Sequence, residues 1–133
     1  MMRTLRRLRR NERGAAVIEM AFALPILIMM LWMLVQMGLM FRAMSGIQHG
    51  LGEGARLATL FPQPDDDAIH DRIEAAVYGI GPGHFTINDP EPGTADGAHF
   101  LDLSVTYTQS TDMLIFPGPD ISVTRRKRVW VAG

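Results

Sequence analysis

Twenty-two consecutive residues, Met20 to Phe41, carry no formal charge: MAFALPILIMMLWMLVQMGLMF. As a helix rising about 1.5 Å per residue they span roughly 33 Å, the thickness of a bilayer's hydrocarbon core. Gln36 is their only strongly polar member. A soluble fold would have to bury this run against a segment of similar character, and the chain has none. The run therefore reads as a membrane-spanning helix, and the rest of the chain is arranged around it.

The charges follow that arrangement. The totals nearly cancel, 13 Lys and Arg against 14 Asp and Glu, but they are unevenly placed. Residues 1–14 hold six arginines (Arg3, Arg6, Arg7, Arg9, Arg10, Arg13) and one acid, Glu12. Residues 42–133 hold seven basic and twelve acidic side chains. A basic cluster before the span predicts a cytoplasmic N-terminus and an acidic body on the other side. A uniformly basic nucleic-acid binder is excluded. With no cysteine, so are a disulfide framework, a thiol nucleophile and a thiolate metal site.

Three kinds of N-terminal signal fit this start. A cleaved secretory peptide has an apolar region of about 7–15 residues; the run here is longer, although Ala43 and Ser45 offer a cut just after it. An uncleaved anchor also fits. The third depends on the junction, Arg13-Gly14-Ala15-Ala16-Val17-Ile18-Glu19-Met20, where an arginine-rich leader ends in glycine and an acid follows five places on.

That junction resembles the class III signal of type IV pilins and pseudopilins. The stretch from Gly14 to Pro25, GAAVIEMAFALP, together with Gly52-Glu53-Gly54-Ala55-Arg56, is similar to the TadE-like pseudopilins of the tight-adherence (Tad, or Flp) pilus system. Ile18 directly before Glu19, and Met20 where an aromatic is common, are conservative departures. The resemblance implies cleavage after Gly14 by a prepilin peptidase, with Ala15 as the new N-terminus and Glu19 as the fifth mature residue. It also implies that Glu19 sets axial register by pairing with the α-amino group of a neighbouring subunit. An acid in an apolar helix costs about 2.5–3.5 kcal/mol near the bilayer centre and less at its edge. Such a partner offsets that cost; snorkelling to the cytoplasmic interface is the alternative. Pro25 withholds a backbone donor and should kink or loosen the helix, though membrane helices also tolerate proline.

Beyond the span, Met44, Ile47, Leu51, Ala55 and Ala58 recur at helical steps and extend the helix with one apolar stripe. Gly46, Gly50 and Gly54 share a face, which serves either close crossing by another helix in an assembly or a flexible joint. Asp65, Asp66 and Asp67 mark the start of a second helix, with Ile69, Ile73, Ala76 and Val77 as its apolar side. His84–Asn88 and Phe100–Thr108 read as strands, residues 89–98 as a loop, and Ile121–Val131 as a last strand interrupted by Arg125-Arg126-Lys127-Arg128. That basic run serves to blunt a sheet edge or to pair with the acidic body.

No catalytic pattern stands out. The four histidines are scattered, and His70 with Asp66 and Asp67 is the one local cluster, explained by a solvated helix start. No metal, cofactor or enzymatic activity is expected. The fold class is α+β: leader 1–14, transmembrane helix 15–41, helix extension 42–61, and a small periplasmic domain 62–133 with a second helix and a short antiparallel sheet. The resemblance implies a minor pseudopilin of the bacterial inner membrane, entering or supporting a surface pilus that mediates adhesion. Its partners would be the prepilin peptidase, other Tad pilins and pseudopilins, the inner-membrane assembly platform and the lipid bilayer, with no nucleic acid. A bitopic periplasmic interaction protein outside any filament and a secreted domain cut near Ser45 are the competing readings.

Overall fold

The computed structural model describes residues 12–79, 81–114 and 116–131, so the leader up to residue 11 lies outside them. Two helices and three strands follow in the order α1 (Glu12–Ala58), α2 (Asp66–Ala76), β1 (His84–Ala95), β2 (Ala98–Asp112) and β3 (Pro117–Val131). The chain divides between Val35 and Gln36 into two compact units, with α1 contributing residues to both.

Within the first unit, helix residues from Ala15 to Val35 are almost all exposed, including Val17, Phe22, Leu24, Ile26, Met30 and Leu34. Water does not support such a surface on a folded helix, whereas acyl chains do. Pro25 lies inside α1, which remains helical on both sides of it.

The second unit is a two-layer α+β domain. Its sheet is an antiparallel meander in the order β1-β2-β3. Central strand β2 alternates strictly: Leu101, Leu103, Val105 and Tyr107 are buried, while Asp102, Ser104, Thr106 and Thr108 face outward. The buried side packs in one core with Ala43, Ile47, Leu51, Ala55 and Ala58 of α1 and Ile69 and Ile73 of α2. The α1 stripe thus begins at Ala43; Met44 is only half-buried.

Helix α2 starts as its acids predict. Asp65 is the N-cap and its side chain accepts from the Ala68 N–H at 3.1 Å, with Asp66 and Asp67 in the first turn, where the helix dipole favours negative charge. It ends at Ala76, so Val77 lies just past the helix rather than in its last turn, and the Val77 N–H donates to Ile73.

Strand β3 starts at Pro117 rather than Ile121 and runs through Arg125 to Arg128 without a break, and two larger sequence readings are corrected. Residues 89–95 are strand, not loop. β1 continues through a register shift between Asn88 and Glu91, where Asp89-Pro90 interrupts the ladder; a bulge accommodates the proline that cannot donate to it. Asp96 and Gly97 then turn the chain with φ of 52° and 79°, the left-handed pair that a tight two-residue hairpin requires.

The second correction concerns the glycines. An added Cβ at Gly46 would lie 1.7 Å from the Tyr78 carbonyl oxygen, at Gly50 2.5 Å from Val77 Cγ1, and at Gly54 2.3 Å from Ile73 Cγ1. Close approach is what they provide, but to α2 and the segment after it in the same domain. A flexible joint is ruled out at these positions, because Gly46, Gly50 and Gly54 are all buried.

Candidate processing and assembly site

Gly14 and Ala15 sit near the start of α1, and Glu19 lies about one turn further on. Ala15 and Glu19 are four residues apart, so they share a helix face, with Cβ atoms about 5–6 Å apart by helical geometry. Glu19 is exposed, as are its apolar neighbours Ile18 and Met20. An α-amino group created at Ala15 would therefore lie on the side of the helix that carries the carboxylate. The helix dipole adds partial positive charge at that end. Gly14 is itself helical here, and a protease needs extended backbone, so any cleavage there would require local unwinding. Glycine is the cheapest residue to unwind short of proline, about 1 kcal/mol easier than alanine.

The far end of the apolar run carries a feature that the sequence did not announce. Gln36 is buried, its Nε2 donates to the Asp112 carbonyl, and its Oε1 accepts from the Asp112 N–H at 3.3 Å. One amide side chain thereby satisfies both backbone groups at the end of β2. This answers why a single glutamine stands among apolar residues. Its only sequence signal is its isolation in the run.

Two charge clusters pin the domain. Arg72 on α2 donates to Glu53 on α1, with Arg56 3.8 Å from the same carboxylate. They border an open groove of about 480 Å³ completed by Leu57 and Leu60. On the outer sheet face Arg128 makes two 2.8 Å bonds to Asp102 and lies 3.8 Å from the centre of the Phe100 ring, which Trp130 meets edge-on. Of the basic run, then, Arg128 pairs with an acid of the body, while Arg125 reaches Met44 Sδ at 3.9 Å; the run also lies on edge strand β3. His70 gathers with Asp71 and Glu74 rather than with Asp66 and Asp67, their ligand atoms lying within 4.8 Å. The two carboxylates are exposed on a solvated helix face, and nothing else there points to an ion.

The paired carboxylates set a pH response. The Arg72 hydrogen bond, helped by the charges of Arg56 and Arg72, holds Glu53 below its usual range, and the Arg128 pair does the same for Asp102. Folded values below unfolded ones mean that the stabilisation is complete above the unfolded pKa, about 4. It is lost as pH falls through the folded values. Thermal midpoints of the full chain in detergent should be flat between about pH 7 and 5 and fall below about pH 4. Because both pairs are solvent-accessible the fall should be small, and a Glu53→Gln, Asp102→Asn double variant should lose part of it. An acid limb identical in the variant would sink this assignment.

Residues 14–56 match the family model described as TadE-like protein. That stretch, about a third of the chain, includes Gly14, Ala15, Glu19, Pro25, Gln36 and the three packed glycines. No curated protein and no solved structure matches the chain.

Proposed function

We propose that this chain is a minor pseudopilin of a Tad (Flp) pilus: a single-pass inner-membrane protein cut after Gly14 by a prepilin peptidase and used to build or prime the filament. The carrying observation is the TadE-like match that opens at Gly14 and runs through Glu19 and Pro25. Its support is an α1 surface that is apolar and exposed from Val17 to Val35. Among the described residues one helix is long and apolar enough to cross a membrane, and the arginines before it support a cytoplasmic start. The work of such a protein is non-covalent. The helix anchors it, Glu19 sets register through a neighbouring subunit's amine, and the α+β domain meets other pilins and the assembly platform outside.

The secreted-domain reading fits the fold poorly. A cut at Ser45 would strip Ala43 from the core and Gln36 from Asp112.

Intact mass and N-terminal sequence of the membrane-extracted protein, with and without the peptidase, test the proposal. The expected product starts at Ala15, has 119 of the 133 residues, and depends on the enzyme. Retention of the arginine leader would overturn processing and favour a bitopic interaction protein. In the same assay, Gly14→Phe should lower the cleaved fraction by on the order of tenfold or more, because a bulky side chain obstructs a groove shaped for bare backbone. Gly14→Ala should slow cleavage only in part.

A further inference from the structure

The apolar run does not stop where the domain starts. Met37 and Phe41 remain more than half exposed, although Gln36, just before them, is already bonded to Asp112. Phe41 lies five residues further along α1, roughly 7–8 Å at helical rise. If lipid covers the run to its last apolar residue, Asp112 and the hairpin tip beyond it are held below the level at which that lipid ends.

The tip is built for such a position. After β2, the Met113 N–H donates to the Phe116 carbonyl at 3.0 Å, closing a tight turn. Asp112 Oδ1 accepts the Leu114 N–H at 2.9 Å. Leu114 has φ of 70°, a conformation that costs a branched side chain about 1–3 kcal/mol and persists where the surroundings impose it. What the turn displays is apolar: Leu114 is 52% and Phe116 55% exposed. A water-facing turn would ordinarily place glycine or a polar residue in the left-handed position. Pro117 and Pro119 follow and stiffen the return into β3.

We propose that the β2–β3 hairpin tip is a second membrane contact, with Leu114 and Phe116 inserted among the acyl chains just under the headgroups of the leaflet from which α1 emerges. The occupant is lipid because Gln36, which bonds Asp112 at the base of the tip, and the exposed Met37 and Phe41 lie in the same unit as the tip and belong to the uncharged run read as membrane-spanning. An insertion of about 5–10 Å is the ordinary depth for interfacial apolar groups, and phenylalanine adds a large apolar area there. A dipping contact at the tip would fix which way the domain faces the membrane surface. A fixed face would then be presented to incoming subunits. The inference rests on the membrane-spanning reading of α1.

The absence of native cysteine allows single labels in the full chain. Leu114→Cys, Phe116→Cys, Ile26→Cys and Gly97→Cys would each carry a nitroxide in phosphatidylcholine vesicles. Collision with oxygen against a water-soluble nickel chelate then reports depth. Gly97 marks the opposite end of the sheet, about 45 Å away by strand rise. Labels at 114 and 116 should favour oxygen over the chelate by at least fivefold relative to 97. Chelate access at 114 and 116 equal to that at 97, with 26 protected, would overturn the inference alone. Exposure at 26 as well would overturn the spanning reading. Protection of 114 and 116 from both reagents would mean a protein contact and overturn the lipid assignment.

Discussion

Gly46→Ala is expected to lower the thermal midpoint of the full chain by roughly 10 °C, whereas Gly52→Ala, six residues along the same helix, should raise it by a few degrees. The first added methyl would meet backbone: Tyr78 O at 1.7 Å, C at 2.7 Å and N at 2.8 Å. Rotating a side chain cannot relieve that contact, so the segment after α2 has to move. Overpacking costs about 1–3 kcal/mol and sometimes more. Alanine in a helix interior returns about 1 kcal/mol, leaving a net loss of about 2 kcal/mol for a backbone obstacle at the upper end of that range. For a domain of this size each kcal/mol moves the midpoint by about 4–8 °C. At Gly52 the added methyl meets nothing within 4 Å, and only the propensity gain remains. Calorimetry or circular dichroism in detergent would read both. A rise in both variants would show that the chain around Tyr78 is not seated on Gly46.

Gly50 and Gly54 grade between these limits. Their nearest obstacles are Val77 Cγ1 and Ile73 Cγ1, side-chain atoms that yield more readily than a carbonyl, though Ile73 is fully buried. The four-residue spacing thus encodes a contact whose nearest obstacle is backbone at Gly46 and a side chain at Gly50 and Gly54. Spacing alone shows that a face is narrow. It does not say whether the partner is another subunit or the next helix of the same chain.

The same limit governs what else was legible. Period and charge located α1, because a 22-residue uncharged run has few other fates. Alternation located β2, because one face is buried and the other wet. The edge strand β1 was only half legible: Asp89, Pro90, Pro92 and Gly93 oppose strand locally, and pairing with Asp102, Leu101 and Phe100 overrides them. Asp96-Gly97 was the available hairpin signal. Long-range polar pairs had none. Gln36 with Asp112 and Glu53 with Arg72 are separated by 76 and 19 residues, and such contacts follow from packing that pattern does not reveal. At the candidate site, by contrast, Gly14, Ala15 and Glu19 are proposed from a local motif, which is visible without tertiary knowledge.

Glu19→Ala should leave the protein processed and inserted but reduce its recovery in sheared pili by about tenfold or more, which corresponds to about 1.4 kcal/mol. Removing a carboxylate from an apolar helix relieves rather than adds insertion cost, so the membrane-bound amount should hold or rise. The Ala15 start should be retained, because Glu19 lies one turn beyond the proposed cut. On the proposed pairing, assembly is the step that needs the charge. Two unit charges about 4 Å apart attract by about 4 kcal/mol at an effective dielectric of 20. Losing a third of that in net terms already supplies the tenfold change. Glu19→Gln keeps the shape and a hydrogen-bonding group but not the charge, and should fall between alanine and the parent. The measurements are intact mass of the membrane fraction and immunoblots of sheared filaments from the same cells. Unchanged filament content in Glu19→Ala would remove the pairing role and leave the carboxylate as a group snorkelling to the cytoplasmic interface. Loss of the mature protein itself would place Glu19 in peptidase recognition instead.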